Sequence, residues 1–242
     1  MNKLISGLLL SGALLIGAVV PTVANADTTA NTGGQTTVSA GFIKNTTSVT
    51  PVDPSNPDTP SGGGDDNNGA AAGGDLSLIY VTNKLDFGTH QIDVLSDKTY
   101  TASQAADTNS DGDVAANTDA LWNGKAVVEV SDVRGTNAGW TLGVTGSQLT
   151  NGSDILTGAT LALPDGSVTN SGDTTNGATA ASTTNVIGAT ATVLSAKDGN
   201  GAGVTVDQLD PSGITLTVPA NVAKAKAYTG TLTWSLSDTP AS

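Results

Sequence analysis

The sequence has no cysteine, one histidine, one glutamate and eight aromatic residues among its 242 positions. Without cysteine there is no disulfide to constrain the unfolded chain, no thiolate to hold a metal and no thiol nucleophile. Stability must come from burial. The single histidine, His90, sits beside a Gly88-Thr89 turn and gives a Ser/His/acid relay only one candidate base. The sole glutamate, Glu129, lies in a strand-like run among valines. The aspartates cluster in loop-like stretches where no apolar partner is expected to raise a pKa, so paired carboxylates for glycoside hydrolysis are not anticipated. These absences argue against an enzyme.

Positive charge is scarce as well: 9 Lys plus Arg stand against 22 Asp plus Glu, for a net charge of −13. Such a chain repels nucleic acid and anionic lipid, which makes both poor partners. It repels polyanionic wall polymers too, leaving neutral sugar or peptide contacts, or bridging cations.

Long apolar runs are limited to one, residues 4–20. Lys3 precedes it, Pro21 breaks it, and Ala24-Asn25-Ala26 follows as a small-residue cleavage site. The run falls short of the roughly 20 residues needed to span a bilayer. Residues 1–26 are therefore expected to be a signal peptide, with the secreted chain starting at Asp27 and keeping 216 residues, enough for one core of ordinary size. No second membrane span is expected. The last residues, 235–242, carry neither a sorting-type motif nor a hydrophobic tail. Retention on a cell is then expected to be non-covalent.

The remaining chain reads as three segments. Residues 27–44 contain Val38, Ala40 and Phe42 alternating with Thr37, Ser39 and Gly41, which predicts a short strand docking on the domain that follows. Residues 45–74 carry Pro51, Pro54, Pro57 and Pro60, then glycines, aspartates and asparagines. Prolines at every third position match polyproline II, so this segment is expected to be a disordered linker, stiff at first and floppy later. Residues 75–242 show period-two runs at 76–80, 126–130, 140–145, 161–163, 214–218 and 228–237, separated by Gly, Asn and Asp loops. That pattern predicts an all-β domain, an antiparallel β-sandwich or barrel with long polar loops. Residues 221–227 allow one helical turn at most.

Two triplets carry the strongest signal, Trp140-Thr141-Leu142 and Trp234-Ser235-Leu236. In a strand, residues i and i+2 share a face, so each Trp and its Leu point the same way. Around them stand Leu85-Asp86-Phe87-Gly88, Asp132-Val133-Arg134-Gly135 leading into the first triplet, and Val218-Pro219-Ala220 ahead of Tyr228 and the second. These blocks, in this order, resemble the WxL-domain cell-surface proteins of Gram-positive bacteria. The resemblance covers nearly the whole mature chain. It implies attachment to the wall through peptidoglycan, often alongside other secreted surface proteins.

The residues themselves leave the role of the motif open. A partly exposed Trp can stack on a sugar; a buried one defines the fold. Burying an indole removes roughly 150–250 Å² from water, on the order of 4–6 kcal/mol before opposing terms. Trp140, Leu142, Trp234 and Leu236 share their faces with other apolar residues and have Thr or Ser opposite, so core placement is expected. Asp132, Arg134 and Gly135 are expected to pair with each other or with backbone across a turn, rather than with ligand. Tyr228 is expected to tie its hydroxyl to loop backbone.

Asp107, Asn109, Asp111 and Asp113 repeat the first half of a calcium loop, but Thr118 stands where the bidentate glutamate belongs. Calcium is the one cofactor the pattern suggests, and a plain polar acidic loop is the better reading of it. The sequence thus predicts a secreted, non-enzymatic surface protein that binds peptidoglycan or another neutral wall glycan. Its rival is a structural subunit or adhesin anchored by partner proteins.

Overall fold

The computed structural model describes residues 33–45, 47–61, 68–71, 73–102, 107–108, 114–115, 124–172 and 177–240. The expected signal peptide, at 1–26, lies outside them. The chain forms strands β1 (Val52–Asp53), β2 (Asn56–Pro60), β3 (Leu76–Val81), β4 (Lys98–Thr101), β5 (Asp107–Thr108), β6 (Val114–Ala115), β7 (Ala126–Asp132) and β8 (Trp140–Gly146). It continues through β9 (Thr160–Ala162), β10 (Ser167–Asn170), β11 (Thr179–Ala180), β12 (Ala191–Ala196), β13 (Gly203–Leu209), β14 (Thr215–Val218) and β15 (Leu232–Ser237). The only helical turn among the described residues is a 3-10 turn at Pro211–Gly213, capped by the Asp210 side chain, which accepts the Ser212 N–H. Residues 221–227 contain none. No helix among the described residues is long and apolar enough to cross a membrane.

Two four-stranded antiparallel sheets face each other, ordered β10-β13-β7-β3 and β11-β12-β8-β15, with a three-stranded sheet β4-β14-β9 beside them. The main core joins Val128 and Val130 of β7 to Trp140, Leu142 and Val144 of β8, Leu194 of β12 and Leu216 of β14. The predicted all-β sandwich is thus the observed fold. Three connections, β7 to β8, β10 to β11 and β12 to β13, carry the chain from one sheet to the other.

The chain divides into two units, Met1–Gly41 and Phe42–Ser242. The described part of the first, residues 33–41, contains no strand and is exposed, with Val38 at 88%. The alternation at 37–42 therefore does not produce the expected docked strand: a strand needs a partner for its N–H and C=O groups, and no strand among the described residues pairs with it. The second unit begins at Phe42, well ahead of the expected boundary at 75.

That early start corrects the linker. Residues 52–60, expected to be disordered, form the β1–β2 hairpin, with register pairs Val52–Pro60 and Asp53–Asn56 and a shift between them. Its turn is an Asx turn, the Ser55 N–H donating to Asp53 Oδ1 at 2.8 Å. The hairpin covers the outer face of the first sheet. Val52 is buried with Ile79, Tyr80, Val127, Val204 and Val206 in a second cluster, and Val49 packs against it. Glu129 points into this face, fully buried, and its Oε2 accepts the Val52 N–H at 3.0 Å. Gln208 Nε2 donates to the Pro54 carbonyl at 3.0 Å.

With both faces covered, all seven residues of β7 are buried. The sequence hint was the unbroken Ala126-Val127-Val128, which marks a strand buried on two sides rather than one. Replacing Val52 by Asp puts an unpaired charge in this second cluster beside Glu129. Urea denaturation should show a loss on the order of 3 kcal/mol. An unchanged midpoint would mean that the hairpin contributes nothing.

Candidate functional site

The first Trp-x-Leu triplet lies on β8, directly after the corner that leaves β7. Arg134 builds that corner. Its Nε and Nη2 donate to the two carboxylate oxygens of Asp132 at 2.9 and 2.7 Å, and Nη2 also donates to the Gly139 carbonyl at 2.7 Å. The last residue of β7 is thereby tied to the residue that precedes β8. The pair is nearly dry, with side-chain exposures of 16% and 1%, and the Asp132 carboxylate raises the Arg134 pKa. The Arg134 backbone N–H completes the turn on Asp132 Oδ1, at 3.1 Å. Gly135 follows at φ +71°, exposed, with open space where a side chain would project. Asp132, Arg134 and Gly135 are arranged as a brace, with every named donor directed at the protein itself.

A second corner, residues 197–202 between β12 and β13, lies against the first. The Gly199 N–H donates to the Asn137 carbonyl at 2.7 Å. Trp140 sits beneath both, fully buried, and its Nε1 donates to the Gly201 carbonyl at 3.0 Å. The fit requires bare backbone. A Cβ on Gly139 would lie 2.5 Å from the Ala196 carbonyl oxygen, and one on Gly201 would lie 2.5 Å from Trp140 Nε1. Leu142 is likewise fully buried.

The second triplet lies on β15, which pairs with β8 so that Leu236 faces Leu142, Trp234 faces Val144 and Ser235 faces Gly143. The two motifs, distant in sequence, are therefore neighbours in one sheet. Leu232, Trp234 and Leu236 pack against the main core but stay half-buried, since β15 is the last strand of its sheet. Trp140 is a core residue; Trp234 closes the core at its edge.

The middle residue of each triplet points the other way. Thr141 and Thr145 of β8, Thr233, Ser235 and Ser237 of β15, and Thr192 and Ser195 of β12 share the outer face of this sheet. Thr190 lies across its middle, its hydroxyl 2.6 Å from that of Thr145 and its methyl over Gly143. In a chain of net charge −13, this face is built from hydroxyls and glycine, with no charge on these strands' outward positions. Sequence reasoning singled out the Trp and Leu positions and passed over these. The signal was the Thr/Ser alternation itself, read only as the polar half of the pattern.

Other sequence candidates separate from this site. In the acidic loop, Asp107 opens β5, while Asn109, Asp111 and Asp113 lie outside the described residues. Among the described residues no three His, Asp or Glu side chains gather to hold a metal. His90 stacks on Tyr100, centroids 3.9 Å apart, and contacts the Phe87 carbonyl through Nε2. The Tyr228 hydroxyl accepts the Lys224 N–H at 3.1 Å, tying the loop before β15. Lys224 and Lys226 both reach Asp154, holding its carboxyl well below the usual range.

One carboxylate departs from expectation. Asp207, in the middle strand β13 beside Val128 and Val168, is 3% exposed, and its Oδ1 has no hydrogen-bond partner. Burial, with a smaller push from the charge of Asp165, raises its pKa from 3.8 to about 7. The expectation that no aspartate has a raised pKa thus fails here. The physical reason is register: β13 alternates Thr205, Asp207 and Leu209 toward the main core, and sequence alone reads the Asp as loop-like.

A family model described as "WxL domain surface cell wall-binding" matches residues 29–240, nearly the whole chain. No curated protein and no solved structure matches the chain significantly.

Two outcomes follow from this geometry. Trp140→Ala should cost about 3–5 kcal/mol of stability, and Trp234→Ala less than half of that. Equal losses in urea titrations would contradict the difference in burial. For Asp207 the folded pKa exceeds the unfolded one, so its stabilising contribution is full below about pH 4 and is lost as pH rises to about 7. A shift of that size corresponds to on the order of 4 kcal/mol. Asp207→Asn should flatten the fall in melting temperature between pH 4 and pH 7. The same slope in both proteins would refute the assignment.

Proposed function

The chain belongs to the WxL domain surface cell wall-binding family, and from that premise we propose that it is a secreted wall anchor that holds peptidoglycan, or another neutral wall glycan, non-covalently. We assign the contact to the outer face of β8 and β15. The observation that carries this is the direction of the paired motifs. Trp140 and Leu142 are committed to the core and Trp234 and Leu236 pack half-buried at its edge, while the middle residues Thr141 and Ser235 lie on the outer face of adjacent strands, Thr141 donating its hydroxyl to the Thr239 carbonyl.

Such a face suits a neutral glycan for two reasons. Sugar hydroxyls pair with a lattice of Thr and Ser hydroxyls spaced by the sheet, about 4.8 Å between strands. The absence of charge there avoids the desolvation cost that a carboxylate would add at contact. The wall is a repeating polymer, so weak single contacts sum over many sites. The family is one of wall binding rather than catalysis, and the roles assigned here to the motif residues are structural.

Binding of purified protein to isolated sacculi tests the proposal. Thr233→Asp combined with Ser235→Asp adds charge to the outer face without touching the core. Retention should fall at least tenfold, by 1.4 kcal/mol or more, while the melting temperature stays within a few degrees. Wild-type protein that does not bind sacculi, with or without calcium, would favour the rival in which partner proteins supply the attachment. Undiminished binding by the double variant would move the contact to another face.

A further inference from the structure

We infer that residues 37–43 of one copy add as a strand to the open edge of β15 in a second copy. The interaction is independent of wall binding and uses a different part of the sheet, its edge rather than its face.

The donor is a strand without a sheet. Thr37 to Ile43 keep the period-two pattern of a strand, yet Val38, Phe42 and Ile43 are 88%, 94% and 96% exposed. Large apolar side chains this exposed, in consecutive strand register, mark an interaction segment. The acceptor is a sheet without a strand. β15 ends the order β11-β12-β8-β15, and its outer row of backbone N–H and C=O groups faces no strand among the described residues.

Edges are normally protected by charge, proline or a bulge. β15, Leu232–Ser237, has no charged residue, no proline and no register shift against β8. A six-residue, straight, uncharged edge is the kind that accepts an added strand. Residues 33–43 are uncharged too. In a chain of net charge −13, these are two segments that can approach each other between copies without local repulsion.

Lys44, which follows the segment, belongs to the second unit. Lys44 Nζ meets Asp75 Oδ2 at 2.7 Å. Because each copy carries both a donor and an acceptor, reciprocal addition can build a closed pair.

The cysteine-free background makes the test direct. Ala40→Cys in one preparation and Thr233→Cys, Ser235→Cys or Ser237→Cys in another are mixed and treated with a short bis-maleimide. The expected product is a mixed dimer between an Ala40→Cys chain and at least one β15 variant, exceeding either homodimer. It should be lost when Val38→Asp and Phe42→Asp are added, with the melting curve unchanged. Sedimentation of the unmodified protein should show the same dimer. Cross-linking confined to one chain in a double-cysteine variant would overturn the proposal in favour of the chain's own edge. A monomer with no cross-link at all would overturn it outright.

Discussion

The indole of Trp140 is the constraint on which the architecture turns. A buried ring of this size contributes heavily to a small, disulfide-free core, but its N–H cannot be left unpaired without a cost of on the order of 1–3 kcal/mol. The Gly201 carbonyl meets that need. To bring it there, two sheet-to-sheet corners must lie side by side, and they are joined by the bond from Gly199 to Asn137. Arg134 then fixes the first corner by spanning Asp132 and Gly139. One side chain thus sets the position of both sheets, and the bare glycines beside it are there because nothing larger fits.

This arrangement gives the triplet a division of labour. The Trp and Leu positions are taken up by the core, and what is left for the surroundings is the residue between them. Since β8 and β15 are neighbours, the two middle residues contribute to one continuous uncharged face. An anchor on a strongly acidic protein benefits from such a face, because neutral contact avoids both the repulsion of anionic polymers and the cost of desolvating charge. The same strand, β15, has a second exposed feature in its backbone edge, so the proposed binding by face and the proposed association by edge do not compete for the same groups.

Burial on the other side of the first sheet has a different origin. The proline-rich stretch looked like a spacer because proline removes donors and its composition is poor in apolar residues. Two valines suffice to change the outcome. Val49 and Val52 find an apolar surface already formed by Ile79, Tyr80, Val127 and Val206, and Glu129 offers an acceptor for the Val52 N–H. The segment does not fold alone; it is folded by the sheet beneath it.

The sequence by itself determined six of the strands, at 76–81, 126–132, 140–146, 160–162, 215–218 and 232–237, together with the sandwich class and the family, because period-two alternation and the spacing of the two triplets are local properties. It also predicted that Asp132 and Arg134 would pair, two residues apart across a turn. What only the tertiary structure decided were the relations between distant segments: that β8 and β15 are neighbours, that residues 52–60 cover a sheet face, that residues 37–43 stay unpaired, and that Asp207 is buried. Each depends on which surface another part of the chain presents. Burial is a property of two surfaces meeting, and a linear pattern specifies only one of them.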